Sequence, residues 1–143
     1  MIYAQFRGSQ EKYAYFMLAA SGACIAFAIT RTQGDTLNYL HAIVGIGVLS
    51  WATSFYCGCQ HLRYIGSATY ANLDLLRIQA GRHPDVGNIP GYIEAASEGI
   101  QIAIGRNDKQ SVRHAKAQFR LLILGAFLYL AWHVAVMYAR SVG

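Results

Sequence analysis

His41 and His133 have the greatest chemical reach of any residue pair in this chain. Each falls inside an apolar stretch, His41 about one turn from its outer end and His133 one to two turns. At about 1.5 Å of rise per residue, the two imidazoles sit at matching depths. Facing imidazoles at one depth are what a bis-histidine haem b site requires, because haem iron takes two axial ligands. The same pair could line a polar pore or relay protons. The competing reading is two neutral histidines bonded to backbone or interfacial water. The leading expectation is therefore no cofactor, with haem b through His41 and His133 as the alternative.

The other constellations are weaker. Cys57, Cys59 and His61 alternate, and residues two apart on a helix point about 200° from one another, so they do not converge on one ion. Arg77 and His83 fit the loose Arg-His spacing of helical ribonuclease folds, and Arg106 with His114 misses it by one residue. Nothing nearby builds the soluble bundle which that chemistry needs. Glu94 and Glu98 share a helix face, read as a solvated face with a dipole benefit for Glu94. No glycine-rich phosphate loop, nucleophile elbow or zinc motif occurs. Three cysteines are too few for a disulfide framework. These patterns point away from an enzyme.

The elements that must position these residues are three apolar stretches, Tyr13 to Thr30, Leu37 to Cys59 and Phe119 to Ala139. Each is close to the roughly 20 residues that a helix needs to cross a bilayer. They contain no Asp, Glu or Lys and one arginine, Arg120, near an end. Hydrophobic residues make up 55% of the 143 and charged residues 13%, about half the usual share in soluble domains. A soluble chain of this length could bury one such stretch but not three. The expectation is an all-α, polytopic protein forming a single membrane domain over 1–143, with transmembrane helices at 13–30, 37–59 and 119–139 and a helical cytoplasmic segment at 63–118.

The net charge of +5 is distributed by topology. With the N-terminus inside, Arg7, Lys12, Arg63, Arg77, Arg82, Arg106, Lys109, Arg113, Lys116 and Arg120 all lie on the cytoplasmic side. Arg31 and Arg140 fall outside. This asymmetry predicts a cytoplasmic N-terminus and an external C-terminus. Anionic headgroups of the lipid bilayer, rather than nucleic acid, account for the basic balance. Ser21-Gly22-Ala23-Cys24 only faintly matches a lipoprotein cleavage box, because the apolar run continues past Cys24. The first helix is read as retained.

Local signals refine the boundaries. Ser9 is an expected N-cap, with Glu11 in the first turn. The second helix is expected to continue from Thr36 to Ala80, because Leu62, Ile65, Thr69, Leu73 and Leu76 recur at steps of three and four. Those five residues form the expected cytoplasmic partner face. Asp74 and Arg77 are spaced to pair, and Gly81 with Pro84 should end the helix. A short helix is expected from Pro90 to Ile104, broken at Gly105, with Asn107 and Gln110 as a capping box for the third long helix.

Membrane helices associate through close packing and a few polar contacts, since lipid already solvates apolar side chains. Each helix carries small residues suited to this: Ala19, Gly22, Ala23 and Ala26 in the first, Ser50, Ser54 and Gly58 in the second, Ala131, Ala135 and Ala139 in the third. Packing within one chain is the plainer expectation. Packing between copies in a homo-oligomer is the sharper one.

A membrane hairpin over 13–62 running into a cytoplasmic helix over 63–80 resembles the small transmembrane effectors of bacterial anti-phage systems, although the third membrane helix departs from their two-helix plan. The resemblance is architectural and covers about half the chain. It implies oligomerisation and membrane impairment once a partner senses infection; the expected location is a bacterial inner membrane. The leading expectation is thus a non-enzymatic oligomeric membrane protein, channel-like or membrane-disrupting, controlled through its cytoplasmic helices. The alternative is an accessory or anchor subunit of a larger membrane complex.

Overall fold

The computed structural model describes residues 2–34 and 39–142, with side-chain surroundings given from Gly8 onward. Three helices follow in order: α1 (Ile2–Thr32), α2 (His41–Gln79) and α3 (Pro90–Val142). No strand occurs among the described residues. All three helices are long and apolar enough to cross a bilayer. The fold is therefore all-α with three membrane-span-like helices.

Two boundaries follow their local chemistry closely. Gly81 adopts a left-handed φ of 66°. Its N–H donates to the Ile78 carbonyl at 2.9 Å, and the Arg82 N–H donates to the Arg77 carbonyl at 2.9 Å. That pair of bonds is a Schellman motif, which satisfies the last carbonyls of α2. Pro90 occupies the first position of α3, where its missing N–H costs nothing. The Ile89 carbonyl receives the Tyr92 and Ile93 N–H groups, each at 3.0 Å.

Three boundaries differ from the sequence expectation. Helix α1 begins at Ile2, so Ser9 lies within it rather than capping it. Helix α2 begins at His41, after a turn at Tyr39 and Leu40, and the expected start at 36–38 lies outside the described residues. Helix α3 runs through Gly105 without a break, so the separate short helix and the Asn107 capping box do not form. A glycine in a helix interior costs only about 1 kcal/mol relative to alanine. The partly buried series Ile100, Ile104 and Asn107 carries the helix across that position.

The chain divides into two compact units. The first comprises Met1–Cys59 and Ala115–Gly143. Here α1 buries Ala14, Met17, Ser21 and Ala28, and α2 buries Val44, Gly47, Trp51, Ser54 and Gly58 at alternating steps of three and four. Helix α3 buries Gln118, Gly125 and Trp132 at steps of seven. Ala28, Val44, Trp51 and Trp132 form the apolar core, with Ile43, Val48, Leu122 and Tyr129 packed around it. The alternation is that of helices meeting along a narrow seam. Large apolar side chains such as Phe16, Leu49 and Phe127 are about two-thirds exposed, as suits a surface solvated by lipid.

The second unit, Gln60–His114, is a helical hairpin. On α2 it buries His61, Ile65, Ala68, Leu75 and Ile78. On α3, Ser111 is buried and Ile93, Ile100 and Ile104 are partly covered. The expected Asp74–Arg77 pair forms at 3.7 Å with both side chains about half exposed. A surface pair of that kind contributes about 0–1 kcal/mol.

Candidate functional site

In the first unit the three helices are joined by a ladder of polar contacts. Ser54 Oγ donates to the Gln118 carbonyl at 2.7 Å. Ser50 Oγ donates to the Leu121 carbonyl at 2.8 Å, and Trp51 Nε1 donates to the Leu122 carbonyl at 3.1 Å. All three donors sit on α2 and all three acceptors are backbone of α3. Helical carbonyls keep a second lone pair after their own i+4 bond, so the ladder costs α3 nothing. Across the other side, Ser21 Oγ of α1 donates to its own Met17 carbonyl at 2.9 Å and lies 3.3 Å from Ser54 Oγ. Each hydroxyl has one proton, and both protons are committed to carbonyls.

Glycine provides the close approach. A Cβ at Gly58 would lie 2.7 Å from Leu18 Cδ2 and 2.9 Å from Gln118 Cδ. A Cβ at Gly125 would lie 2.6 Å from Trp51 Cδ1. Gln118 therefore occupies the space above Gly58, and Trp51 the space above Gly125. Gln118 is 1% exposed, and its Nε2 has no hydrogen-bond partner among the described residues.

The hairpin holds a histidine cluster. His61 is 6% exposed, with Nδ1 2.9 Å from both the carbonyl and the hydroxyl oxygens of Ser111. A proton on Nδ1 donated to the carbonyl is the tautomer that avoids opposing two lone pairs. Tyr64 stacks on His114 with ring centroids 5.5 Å apart. Burial pushes the His61 pKa below its ordinary value; the Ser111 bond opposes this and the nearby His114 adds to it.

The residues singled out from sequence separate into three groups. Ser50, Ser54 and Gly58 are buried and packed within the chain. Ala19, Ala23, Ala26, Ala131 and Ala139 are exposed, while Gly22 and Ala135 are partly buried. On the expected cytoplasmic face, Ile65 is buried inside the hairpin, Leu62 is partly covered, and Thr69, Leu73 and Leu76 are exposed. The actual seam of α2 (His61, Ile65, Ala68, Leu75) lies about one residue from that stripe, a rotation of about 100°.

The structure does not bring the expected haem ligands together. His41 is partly buried, and the α3 ring beside it belongs to Trp132, with centroids 6.1 Å apart. His133 is exposed. Consecutive helical residues point about 100° apart, so burying Trp132 turns His133 outward. Matching depth did not amount to matching face.

Sequence reasoning missed Gln118, the pairing of His61 with Ser111 and the Trp51–Gly125 contact. A signal was present in the heptad series Ser111, Gln118, Gly125 and Trp132, but a search for apolar periodicity passes over polar and glycine members. Comparison with protein-family models, with curated proteins and with solved structures finds no match to this chain.

Proposed function

We propose that this protein is a non-enzymatic, self-associating integral membrane protein whose hairpin receives the signal that controls it. The positive-charge asymmetry supports a hairpin in the cytoplasm, with the N-terminus inside and the C-terminus outside. The observation that carries it is the exposed row on the hairpin, where Leu73 is 46% and Leu76 56% exposed beside Tyr70. Such a row is ordinary in lipid but unfavourable in water, where about 25 cal/mol is gained per Å² of apolar surface covered. A second hairpin brings an equivalent row, and the exposed alanines of α1 give the membrane helices a surface that admits close approach. Assembly of such bundles supplies a channel-like or membrane-disrupting activity.

The test is native mass spectrometry of the full-length protein, gently solubilised. A discrete homo-oligomer is expected, reverting to monomer in Leu73→Glu/Leu76→Glu, with dye entry into expressing cells lost in parallel. A wild-type monomer would sink the proposal. A defined complex with a different chain would instead make this an accessory subunit whose hairpin row is covered by that chain.

A further inference from the structure

The outer face of α3 carries a feature that neither the internal packing nor self-association uses. Arg106, Lys109, Arg113, Lys116 and Arg120 follow at steps of three, four, three and four, and all five are exposed. At 100° per residue they fall within an arc of about 80°, centred roughly 150° from the buried seam. Between positions 106 and 120, every residue in that arc is Lys or Arg. Asp108 lies well outside it. Cations three and four residues apart repel one another, so α3 maintains a row of unrelieved like charge about 21 Å long.

Headgroups account for only one end of the row. Resting on the topology proposed above, Arg120 marks the bilayer boundary. The headgroup layer adds about 5–7 Å per side, and screening limits reach to about 8 Å beyond it. Lys116 and Arg113 fall within that range, whereas Lys109 and Arg106 lie about 16 and 21 Å along the axis from Arg120. A single strand of nucleic acid would seek aromatic rings for stacking, and the arc has none. A second copy is also a poor complement. The chain has seven acidic residues, and none of its helices places three of them at successive three- and four-residue steps.

We infer that the outer face of α3 from Arg106 to Arg120 is a docking surface for an acidic helix of a partner protein. Carboxylates at steps of three and four on an antiparallel helix repeat at the same axial interval as these cations. One helix can then neutralise the row from the bilayer surface outward. The contact deepens the proposed control role of the hairpin by specifying the chemistry of what it receives.

The test uses the full-length protein in nanodiscs of zwitterionic phosphatidylcholine. A fluorescent helical peptide bearing one glutamate opposite each cation is titrated in, beside a scrambled peptide of the same composition and a single-stranded oligonucleotide. The matched peptide is expected to bind most tightly and to weaken about tenfold in Arg106→Gln/Lys109→Gln, a change at exposed positions that leaves helicity intact. Equal binding of the scrambled peptide, or tighter binding of the oligonucleotide, overturns the inference. Affinity unchanged in Arg106→Gln/Lys109→Gln, the two cations that headgroups do not reach, overturns it as well. The oligomer mass read on the same nanodiscs keeps failure of self-association distinct from failure of docking.

Discussion

The Gln118 side chain lies in the space that Gly58 leaves open, so that α1, α2 and α3 meet at one point: a Cβ at Gly58 would lie within 3 Å of both Gln118 Cδ and Leu18 Cδ2. Gln118 is almost wholly buried there, while its backbone carbonyl receives the Ser54 hydroxyl. One residue thus takes a bond through its main chain and fills a gap with its side chain.

Gly58→Ala should destabilise the isolated protein by about 1–3 kcal/mol, the usual cost of overpacking a tight interior, and Gly58→Leu should cost more. Thermal unfolding in detergent, followed by helical circular dichroism, measures this. An unchanged midpoint in Gly58→Leu would mean that the three helices do not meet as described. Where the midpoint falls, loss of cellular activity in a Gly58 variant reports on the fold of one chain rather than on assembly.

Gln118→Leu is expected to be neutral or stabilising by about 1 kcal/mol, despite removing a polar residue from the centre of the ladder. The Ser54 bond goes to the main-chain carbonyl and survives the change. What disappears is a buried amide with no partner for its Nε2 among the described residues, and removing such a donor removes its desolvation cost. A loss of more than about 2 kcal/mol in the same unfolding assay would show that the amide makes bonds worth keeping.

Ser54→Ala removes a donor from the ladder and leaves an acceptor that is already bonded within its helix. The expected loss is about 0.6 kcal/mol and no more than about 1.7, the range found for bonds between membrane helices. Combining Ser50→Ala with Ser54→Ala should give roughly the sum of the single losses if the two bonds are independent. A double-mutant cycle with a coupling above about 0.5 kcal/mol would instead show that the ladder acts as a unit.

The three spans and the two turn boundaries were legible because each has one dominant local cause. Apolar length decides a span, Gly81 supplies the left-handed φ, and Pro90 fits a first helical position. The inner face of the membrane-span part of α2 was legible from its small residues, since Ser50, Ser54 and Gly58 are buried, but the inner faces of α1 and α3 were not. In lipid both the inner and outer sides of a helix are apolar, so hydropathy does not separate Ala23, which is exposed, from Ala14, which is buried. What marks the inner side is a heptad of polar and small residues, and there Ser111, Gln118 and Gly125 look like interruptions. Gly105 misled for a related reason: its cost is local and small, while the seam that overrides it spans several turns.

Ala23 tests the division between inner and outer faces. It is exposed on α1, so Ala23→Leu should leave the stability of the single chain within about 0.5 kcal/mol, as for surface positions generally. If copies meet through this face, the same substitution shifts the native mass distribution toward monomer. A large stability loss without any change in oligomer mass would place Ala23 inside the chain.

His61 gives the hairpin a pH dependence whose sign follows from its burial. Its pKa is lowered in the folded chain from the ordinary value of 6.5, chiefly because the interior disfavours the imidazolium. Below that value the unfolded chain binds a proton that the folded chain resists, so the unfolded state is favoured as pH falls. Stability from this group is therefore full above pH 6.5 and declines as pH drops through 6.5 toward the lowered folded-state value. No carboxylate is among the causes of the His61 shift, and the one other titratable side chain acting on it, His114, lowers the value as well. Hydrogen exchange of the hairpin amides should quicken on acidification across this window, while exchange in the first unit changes less. His61→Gln should flatten the dependence, since its amide can donate to the Ser111 carbonyl without titrating. A wild-type hairpin whose protection is constant through this window would show that His61 is already charged, or already solvated, when folded.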